Sequence, residues 1–468
     1  MGLLPPKYKL ASSLIYAIIL LIMVKILPFS GTIYNKKKLK NLAKVMSPPY
    51  DIISAPQQEE LYNMSNFNYV RLILGKEFPG DNEYNNRYVR AAAFIDGWLR
   101  HKILLKDLKP ALYVYEQKFS HEGKIVTRVG FIGILRLEET GRNKVFPHEE
   151  TYSRAKLDRF QLMRATNANL DPIFTLYSDK KEKVMKAIRP FMKRKPVLEL
   201  KDPEGIAHRL WRVDRKLSIS KIIQEMKDKA VFIADGHHRY EAAIRLKNEM
   251  KLRNTKFTED EAYNHVMMYF TPLESKGLVI LPIHRVVSGL NFFDPIRFEQ
   301  DLAMYFNVVP YPANKKNADN VRKKLLKDLK KAGETKHAFA LYLGQHRYFL
   351  LTLKDEKMVE EMVAENKPHA WKTLDVTVLH YTIFDRLLNM AHETEDKVTY
   401  FKNSAEAIKA VDEKGPGMAF LLNPTKIDQI IEVAGALEKM PHKSTYFYPK
   451  LLSGPVLYRF EPNEKVEL

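Results

Sequence analysis

Around residue 230 the chain passes from an apolar run to a polar turn and then to a helical pattern. The apolar run, Val231 to Ile233, predicts a short buried strand. The turn Asp-Gly-His-His-Arg, residues 235–239, follows it, and the alanine-rich pattern beyond predicts a helix to about Met250. The pattern therefore predicts a strand, a tight turn and a helix in direct succession.

Alternating apolar residues elsewhere predict paired strands, and apolar residues repeating every three to four positions predict helices. Paired strands are predicted at 111–119 and 127–137, and at 338–343 and 348–353. Beyond about residue 290 helical patterns predominate, at 295–305, 315–331, 355–365 and 375–390. This mixture predicts an α+β protein that combines mixed sheets with helices.

The predicted organisation has four parts. Residues 1–25 are an apolar extension, and 26–140 form an N-terminal α+β unit. Residues 141–290 form a phosphate-binding domain around the polar turn, and 291–468 form a C-terminal α+β domain that closes the cleft.

The apolar run at 10–24 is too short for a helix that spans a bilayer, which needs about 20 residues. We interpret it as the product of a start codon assigned too early, with Met23 as the natural start. The alternative is an N-terminal membrane anchor. The expected location is therefore the cytoplasm, with tethering to a membrane through residues 10–24 as the alternative.

Composition narrows the possible chemistry. The chain has no cysteine, which excludes disulfides, thiolate metal sites and a cysteine nucleophile. Its formal net charge is +20, but the lysines are spread through helical segments such as 315–331 and do not form a basic tail. This distribution favours a solvated lysine-rich surface over nucleic-acid binding. The sequence does not indicate an oligomeric state.

The turn at 235–239 carries residues suited to phosphate. Gly236 lets the backbone approach a ligand closely, and Arg239 can grip phosphate oxygens with a bidentate guanidinium. The start of a helix adds free N–H groups and a partial positive charge. Asp235 suits a metal ion or a reacting hydroxyl, and His237 and His238 complete the group. The structural alternative is an ordinary aspartate cap on a helix.

A second group of polar residues, His148 and Glu149, follows Pro147 at a predicted helix start, where a charged first turn is the structural alternative. His148 is a candidate for substrate binding, and so are three further pairs or triplets: Tyr50 with Asp51, His284 with Arg285, and Lys443 with Ser444 and Thr445. Each of these has a structural alternative, as a rigid turn or as polar residues at a strand end.

Five ordered motifs point to a known family: Ser-Pro-Pro-Tyr-Asp at 47–51, Phe-Pro-His-Glu-Glu-Thr at 146–151, Ala-Asp-Gly-His-His-Arg at 234–239, Leu-Pro-Ile-His-Arg at 281–285 and Met-Pro-His-Lys-Ser-Thr-Tyr at 440–446. The chain resembles the domain of unknown function 1015 family of uncharacterised conserved proteins. That resemblance implies no activity.

A second resemblance does imply an enzymatic activity. The Pro-His-Glu segment and the Asp-Gly-His-His-Arg turn are similar to those of free-serine kinases of the ParB/sulfiredoxin-like fold. The resemblance implies that Glu149 is the catalytic base, that Asp235 assists in placing metal or hydroxyl, and that Gly236 to Arg239 cradle the nucleotide phosphates. The implied cofactors are Mg²⁺ and ATP or ADP. The interval of 86 positions between Glu149 and Asp235 is longer than that kinase pattern leads us to expect.

The expected function is a small-molecule kinase that transfers phosphate from ATP or ADP to a hydroxyl-bearing metabolite, free L-serine being the first candidate. The expected partners are thus a nucleotide and a small substrate. Two alternatives stay open. One is a metal-dependent phosphatase or nuclease using Asp235, His148 and one of His237 and His238. The other is a non-enzymatic nucleotide- or DNA-binding protein of ParB-like fold.

Overall fold

The structure, a computed structural model, describes residues 24–138, 144–290, 293–363, 366–390, 397–414 and 417–466. The apolar run at 10–24 lies outside the described residues, apart from Val24. Across the described ranges, every helix is too short or too polar to cross a bilayer.

The described strands are β1 Ile26–Leu27, β2 Thr32–Tyr34, β3 Leu104–Lys106, β4 Leu112–His121, β5 Lys124–Arg136, β6 Val145–Phe146, β7 Ala168–Asn169, β8 Ile173–Tyr177, β9 Leu198–Lys201, β10 Ala207–Val213, β11 Val231–Asp235, β12 His265–Pro272, β13 Val279–Leu281, β14 His284–Ser288, β15 Phe306–Pro312, β16 Ala338–Tyr342, β17 Arg347–Leu353, β18 Val398–Phe401, β19 Gly417–Leu422, β20 Tyr446–Tyr448 and β21 Tyr458–Arg459.

The described α-helices are Ala55–Met64, Val70–Ile73, Arg87–Arg100, Ser153–Thr166, Lys183–Met192, Lys216–Met226, His237–Arg253, Pro295–Tyr305, Ala318–Ala332, Lys357–Met362, His369–Lys372, Asp375–Leu379, Ser404–Lys414 and Ile427–Gly435. A π-helix occupies His380–Leu387, and short 3₁₀ helices occupy Leu42–Val45, Tyr50–Ile52 and Ala262–Asn264. The predicted α+β class is confirmed.

The described chain forms two compact units, each assembled from separate stretches of sequence. Unit 1 comprises the described residues of Met1–Pro147, Thr151–Leu278 and Pro449–Leu468. Unit 2 comprises His148–Glu150 together with the described residues of Val279–Tyr448. The chain therefore enters unit 2 for three residues near position 149, returns to unit 1 at Thr151, and contributes to unit 2 again from Val279 to Tyr448.

Unit 1 is built on a mixed sheet with the strand order β6-β11-β8-β12-β5-β4-β10-β9, and β1 pairs with β5. The pairs β6–β11 and β8–β12 are parallel, whereas the other neighbours are antiparallel. All eight residues of the central strand β12 are buried. Its sequence, His-Val-Met-Met-Tyr-Phe-Thr-Pro, is apolar on both faces, as a strand covered on two sides requires.

The hairpin β4–β5 confirms the predicted pair of strands at 111–119 and 127–137. His121 pairs with Lys124, so the loop consists of Glu122 and Gly123 alone. Both loop residues have positive φ, 47° and 74°. Two such residues in succession match the twist of the flanking strands, which explains the glycine at position 123.

The predicted strand, turn and helix around residue 235 are also confirmed. β11 ends at Asp235, Gly236 is the N-cap in a left-handed conformation, and the helix His237–Arg253 begins directly after it. Ala242 and Ala243 are buried on this helix, which packs against the helix Ser153–Thr166. Strand β11 and this packed pair of helices therefore hold the turn in place.

Unit 2 is built on an antiparallel sheet with the strand order β15-β17-β16-β19-β14-β18. The helix Ala318–Ala332 presents Leu325 and Leu329 to one face of this sheet, and the helix Ser404–Lys414 contributes Ala407 and Val411 to the same core. A separate antiparallel pair, β13–β20, brings the end of the chain's unit 2 portion next to its beginning.

Candidate functional site

Asp235 lies between two cations in unit 1. Nζ of Lys450 donates a hydrogen bond to Oδ1 of Asp235 at 2.9 Å, and a guanidinium nitrogen of Arg239 lies 3.6 Å from Oδ2. The three side chains are 9, 13 and 19% exposed for Lys450, Arg239 and Asp235. These three side chains therefore form a largely buried cluster of two cations and one carboxylate.

This environment keeps Asp235 ionised. Burial on its own raises the pKa of a carboxyl group, but the charges of Lys450 and Arg239, with a smaller effect of His237, lower the pKa of Asp235 to about 2. Asp235 is consequently a carboxylate at any physiological pH.

The backbone of unit 1 delivers Lys450 to this position. The carbonyl of Lys450 accepts a hydrogen bond from Nε2 of Gln117 at 2.9 Å, and the carbonyl of Pro449 accepts one from the guanidinium of Arg128. Gln117 and Arg128 are fully buried on β4 and β5. The central hairpin of the sheet thus fixes the segment that carries the lysine.

Gly236 is required by its conformation and by its neighbour. Its φ is 95°, which side-chain-bearing residues adopt only with strain. A Cβ at this position would lie 2.8 Å from a guanidinium nitrogen of Arg239. Because glycine has no side chain, the helix His237–Arg253 begins without a side-chain cap. This arrangement is typical of anion-binding helix starts.

Arg239 lies against a second acidic residue, Asp171. A guanidinium nitrogen of Arg239 donates to the carbonyl of Pro172 at 2.7 Å. Asp171 is 8% exposed; burial raises its pKa, against the charges of Arg239 and Arg159 and the nearby Ser453 hydroxyl. Arg159, Asp171 and Arg239 line a cavity of about 30 Å³, which has room for a single water or small ion.

Tyr50 and Asp51 belong to the same part of unit 1. The guanidinium of Arg159 lies 3.8 Å from the centre of the Tyr50 ring. Burial raises the pKa of Tyr50 to about 12, and the charges of Arg159, Asp51, Arg239 and Asp235 all act on its phenol. The structure therefore brings the loop after the double proline to the turn at 235–239.

The two histidines of the turn differ. His237 is 4% exposed, inside the first turn of its helix. Nε2 of His238 accepts a hydrogen bond from the backbone N–H of Tyr152 at 3.0 Å, and the two rings stack. That nitrogen of His238 is an acceptor here, so it does not donate to a phosphate in this arrangement.

A Mg²⁺ ion does not fit Asp235 as the structure arranges it. Its two oxygens face an ammonium and a guanidinium, and a dication would have to displace at least one of them. Asp235, His237 and His238 do not form a group of metal ligands within the described residues. The described residues do contain one such group, in unit 2: Glu356, Glu360 and His369 have ligand atoms within 4.8 Å of one another.

In unit 2, the segment 148–150 contacts the stretch 440–445. The N–H of Met440 donates to the carbonyl of His148 at 2.6 Å, and Glu149 and Met440 form an isolated parallel bridge. Nε2 of His148 lies 3.2 Å from the hydroxyl of Thr445. The predicted helix start at His148 is wrong, because this bridge holds the segment extended and the helix begins at Ser153.

The other predicted residues of unit 2 lie near the same stretch. The guanidinium of Arg285 donates to the carbonyl of Lys443 at 3.2 Å, and the hydroxyl of Ser444 donates to the carbonyl of Pro441. Nδ1 of His284 accepts from the N–H of Leu422 at 3.2 Å. Burial, with a smaller effect of Arg285, lowers the pKa of His284 to about 4, so this imidazole is neutral.

Three residues of the unit 1 group were not among the predicted site residues: Lys450, Arg159 and Asp171. Lys450 lies shortly after the motif at 440–446. Its position directly after Pro449 was the one sequence feature that could have drawn attention to it. Asp171 precedes a proline at the start of β8, and Arg159 is one of several basic residues on its helix. No sequence spacing connects either of them to residue 235.

Comparison with known proteins returns distant likenesses among solved structures. Free serine kinase in complex with AMP is 12% identical, with a TM-score of 0.31, over 68% of this chain and 86% of that chain. A conserved hypothetical protein from Pyrococcus furiosus gives the same identity and TM-score over 68% and 92%. SbnI from Staphylococcus aureus, with a C-terminal truncation, is 10% identical with a TM-score of 0.30 over 67% and 84%. These TM-scores are too low to support a conclusion about the function of this chain.

No curated protein matches the chain. The family model described as a protein of unknown function, DUF1015, matches residues 26–377, well over half of the sequence. This match confirms the family that the five ordered motifs indicated. The chain belongs to the DUF1015 family of proteins of unknown function.

Proposed function

We propose that this protein is a small-molecule kinase of ParB/sulfiredoxin-like fold, which binds ATP or ADP at the turn 235–239 and phosphorylates a hydroxyl-bearing metabolite in the cytoplasm. Free L-serine is the first acceptor to test. The oxygen of the acceptor hydroxyl forms a bond to the terminal phosphorus, the bond from that phosphorus to the nucleotide breaks, and the hydroxyl proton passes to Glu149.

The observation that carries the proposal is the geometry of the turn. A left-handed glycine starts a 17-residue helix, and the buried cations Lys450 and Arg239 lie on either side of Asp235. Two buried cations around one carboxylate give a net positive charge, which an anionic phosphate would neutralise. Positioning and charge neutralisation are most of what phosphoryl transfer needs from a protein.

Asp235 has a structural part in this proposal. Its carboxylate holds the ammonium of Lys450 and the guanidinium of Arg239 in place, so both cations are oriented before a nucleotide arrives. Fixed charges of this kind stabilise a transition state without reorganising. Because both oxygens of Asp235 face cations, we assign no step to a metal ion bound there. The same arrangement disfavours a metal-dependent hydrolase that uses Asp235.

The test is a turnover assay on the full chain in a buffer that contains Mg²⁺. ATP or ADP is supplied with and without free serine, and phosphorus NMR follows phosphate, nucleotides and phosphoserine. We expect phosphoserine only when both a nucleotide and serine are present. Nucleotide consumption without serine would contradict serine as the acceptor. In a separate binding titration, failure to bind ATP, ADP or AMP would contradict phosphate binding at the turn 235–239.

A further inference from the structure

Unit 2 contains a pocket that the proposed function does not use. Its volume is about 360 Å³, within the range of small-molecule sites. The side chains of Trp371, Tyr381, Phe384 and Tyr400 supply aromatic surface to its lining, and Arg285 supplies a guanidinium. All of these residues belong to unit 2.

The guanidinium of Arg285 is a buried cation without a counter-ion among the described residues. The residue is 5% exposed, and its hydrogen bonds go to the backbone carbonyls of Ile283, at 2.8 Å, and Lys443, at 3.2 Å. Its guanidinium carbon also lies 5.7 Å from the centre of the Tyr400 ring. Burial lowers the pKa of Arg285 to about 10, and no carboxylate opposes that effect.

Such a cation is costly to bury unless something neutralises it. Two of the five N–H donors of Arg285 reach carbonyls, which leaves donors for a ligand. The planar guanidinium fork matches the two oxygens of a carboxylate or phosphate group. The spare donors of Arg285 are therefore chemically suited to an oxyanion.

Three other charged or titratable groups of the lining, Lys367, His380 and Glu150, lie next to partners of their own. Lys367 forms an ion pair with Glu438 at 2.7 Å, and His380 lies 3.3 Å from Asp385. Glu150, the acidic residue of the lining, is 61% exposed and lies 3.5 Å from His442. Arg285, by contrast, hydrogen-bonds to backbone carbonyls and forms no ion pair within the described part of unit 2.

The aromatic walls are held rigidly. Nε1 of Trp371 donates to the carbonyl of Lys439 at 2.8 Å, and its ring meets Tyr381 edge to face with centroids 6.3 Å apart. Tyr381 and Phe384 lie on the π-helix His380–Leu387, a geometry frequent at functional sites. Fixed aromatic surface of this kind favours a planar or apolar ligand body.

We propose that this pocket binds a small organic oxyanion, with a carboxylate or phosphate group on Arg285 and an apolar, preferably aromatic, body against Trp371 and Tyr400. The site lies within unit 2, and the proposal does not depend on the kinase activity. Carboxylate and phosphate present the same paired oxygens to the guanidinium, and the probes below separate them.

The test is calorimetric titration of the full chain with four probes: benzoate, phenyl phosphate, the neutral benzyl alcohol and inorganic phosphate. We expect benzoate or phenyl phosphate to bind at least about tenfold more tightly than benzyl alcohol, since only the anions can form a charge-assisted pair with Arg285. The tighter of the two anions identifies the head group. Equal binding of benzyl alcohol, or no binding of either aromatic anion, would overturn the proposal.

Two variants locate the binding. Arg285→Met removes the charge at nearly constant volume, and we expect it to lose at least about tenfold in affinity for the aromatic anion. Arg297→Met, at a side chain that is 81% exposed in the same unit, is the matched control. Should Arg285→Met fail to fold, Tyr400→Ala removes part of the wall at a residue 37% exposed and should weaken the aromatic anions. Unchanged affinity in the folded variants would refute the assignment.

Discussion

Lys450 and Asp235 are separated by 215 residues in the sequence and by 2.9 Å between their charged atoms. Both side chains are largely buried, at 9 and 19% exposure. The last segment of unit 1 therefore supplies a cation to the polar turn between β11 and the following helix.

Replacing Lys450 tests the phosphate-binding role of this pair. We expect Lys450→Met to reduce AMP, ADP or ATP affinity by at least about tenfold, because a charge-assisted hydrogen bond to phosphate is lost. Titration calorimetry measures the affinity. Lys409→Met, at a side chain that is 73% exposed in unit 2, is the control and should bind normally.

The same lysine also neutralises Asp235. Lys450→Met leaves a buried carboxylate with one cation fewer, so the free energy of unfolding should fall, and the double variant Lys450→Met/Asp235→Asn should recover part of it. Additive losses in the two single variants and the double variant would contradict a direct interaction.

The depressed pKa of Asp235 predicts a pH-dependent contribution to stability. Burial opposes ionisation, yet Lys450 and Arg239 lower the folded-state pKa from 3.8 to about 2. A depressed carboxyl pKa stabilises the fold above the unfolded value and loses that effect as pH falls through the folded value; here the window runs from about pH 4 to pH 2 and the effect is about 2 kcal/mol.

Denaturant unfolding of the wild type and of Asp235→Asn at several pH values measures this effect. The stability gap between the two proteins should shrink across that window as the wild-type carboxylate becomes protonated. A gap that stays constant with pH would mean that Asp235 is not held as an ion pair.

Gly236→Ala should harm both stability and nucleotide binding. The φ of 95° costs a side-chain-bearing residue about 1–2 kcal/mol, and the new methyl group would press on the guanidinium of Arg239. Gly80→Ala is the matched control, because Gly80 has a φ of 90° and open space around its Cβ position. Nucleotide affinity should fall in the first variant and stay normal in the second.

How far the sequence predicts this molecule depends on whether a feature is local. The hairpin around Gly123 and the turn at Gly236 were predicted because period, turn chemistry and glycine all act over a few residues. Glu149 was placed in a helix because Pro147 and the carboxylates suit one, but its bridge to Met440 overrides that preference. Lys450 was missed because proximity across 215 residues leaves no periodic signal.

Glu149→Gln tests the catalytic base. The change keeps the size of the side chain and removes its basicity, so turnover should fall by about 10²–10⁴-fold while nucleotide affinity changes little. Glu413→Gln, at a side chain that is 63% exposed in unit 2, is the control. Full activity in Glu149→Gln would show that another group accepts the proton.

His337 predicts a pH effect of opposite sign in unit 2. Burial would lower its pKa, but Nδ1 lies 2.7 Å from Asp375, and that pairing raises the pKa above 6.5. A raised histidine pKa stabilises the fold below the unfolded value and loses the effect as pH rises through the folded value. The stability gap between wild type and His337→Gln should therefore narrow as pH rises from about 6.5 through the raised folded-state pKa, and Asp375→Asn should abolish the trend.

Because unit 1 is interrupted in the sequence by most of unit 2, its parts are synthesised at different times. At the usual rate of about 5–20 residues per second, Asp235 is synthesised roughly 10–40 seconds before Lys450. The nascent chain must carry a carboxylate, destined for a largely buried position, through that interval without its lysine. Emergence of the segment that carries Lys450, rather than of β11, therefore allows the turn to reach its final charge balance.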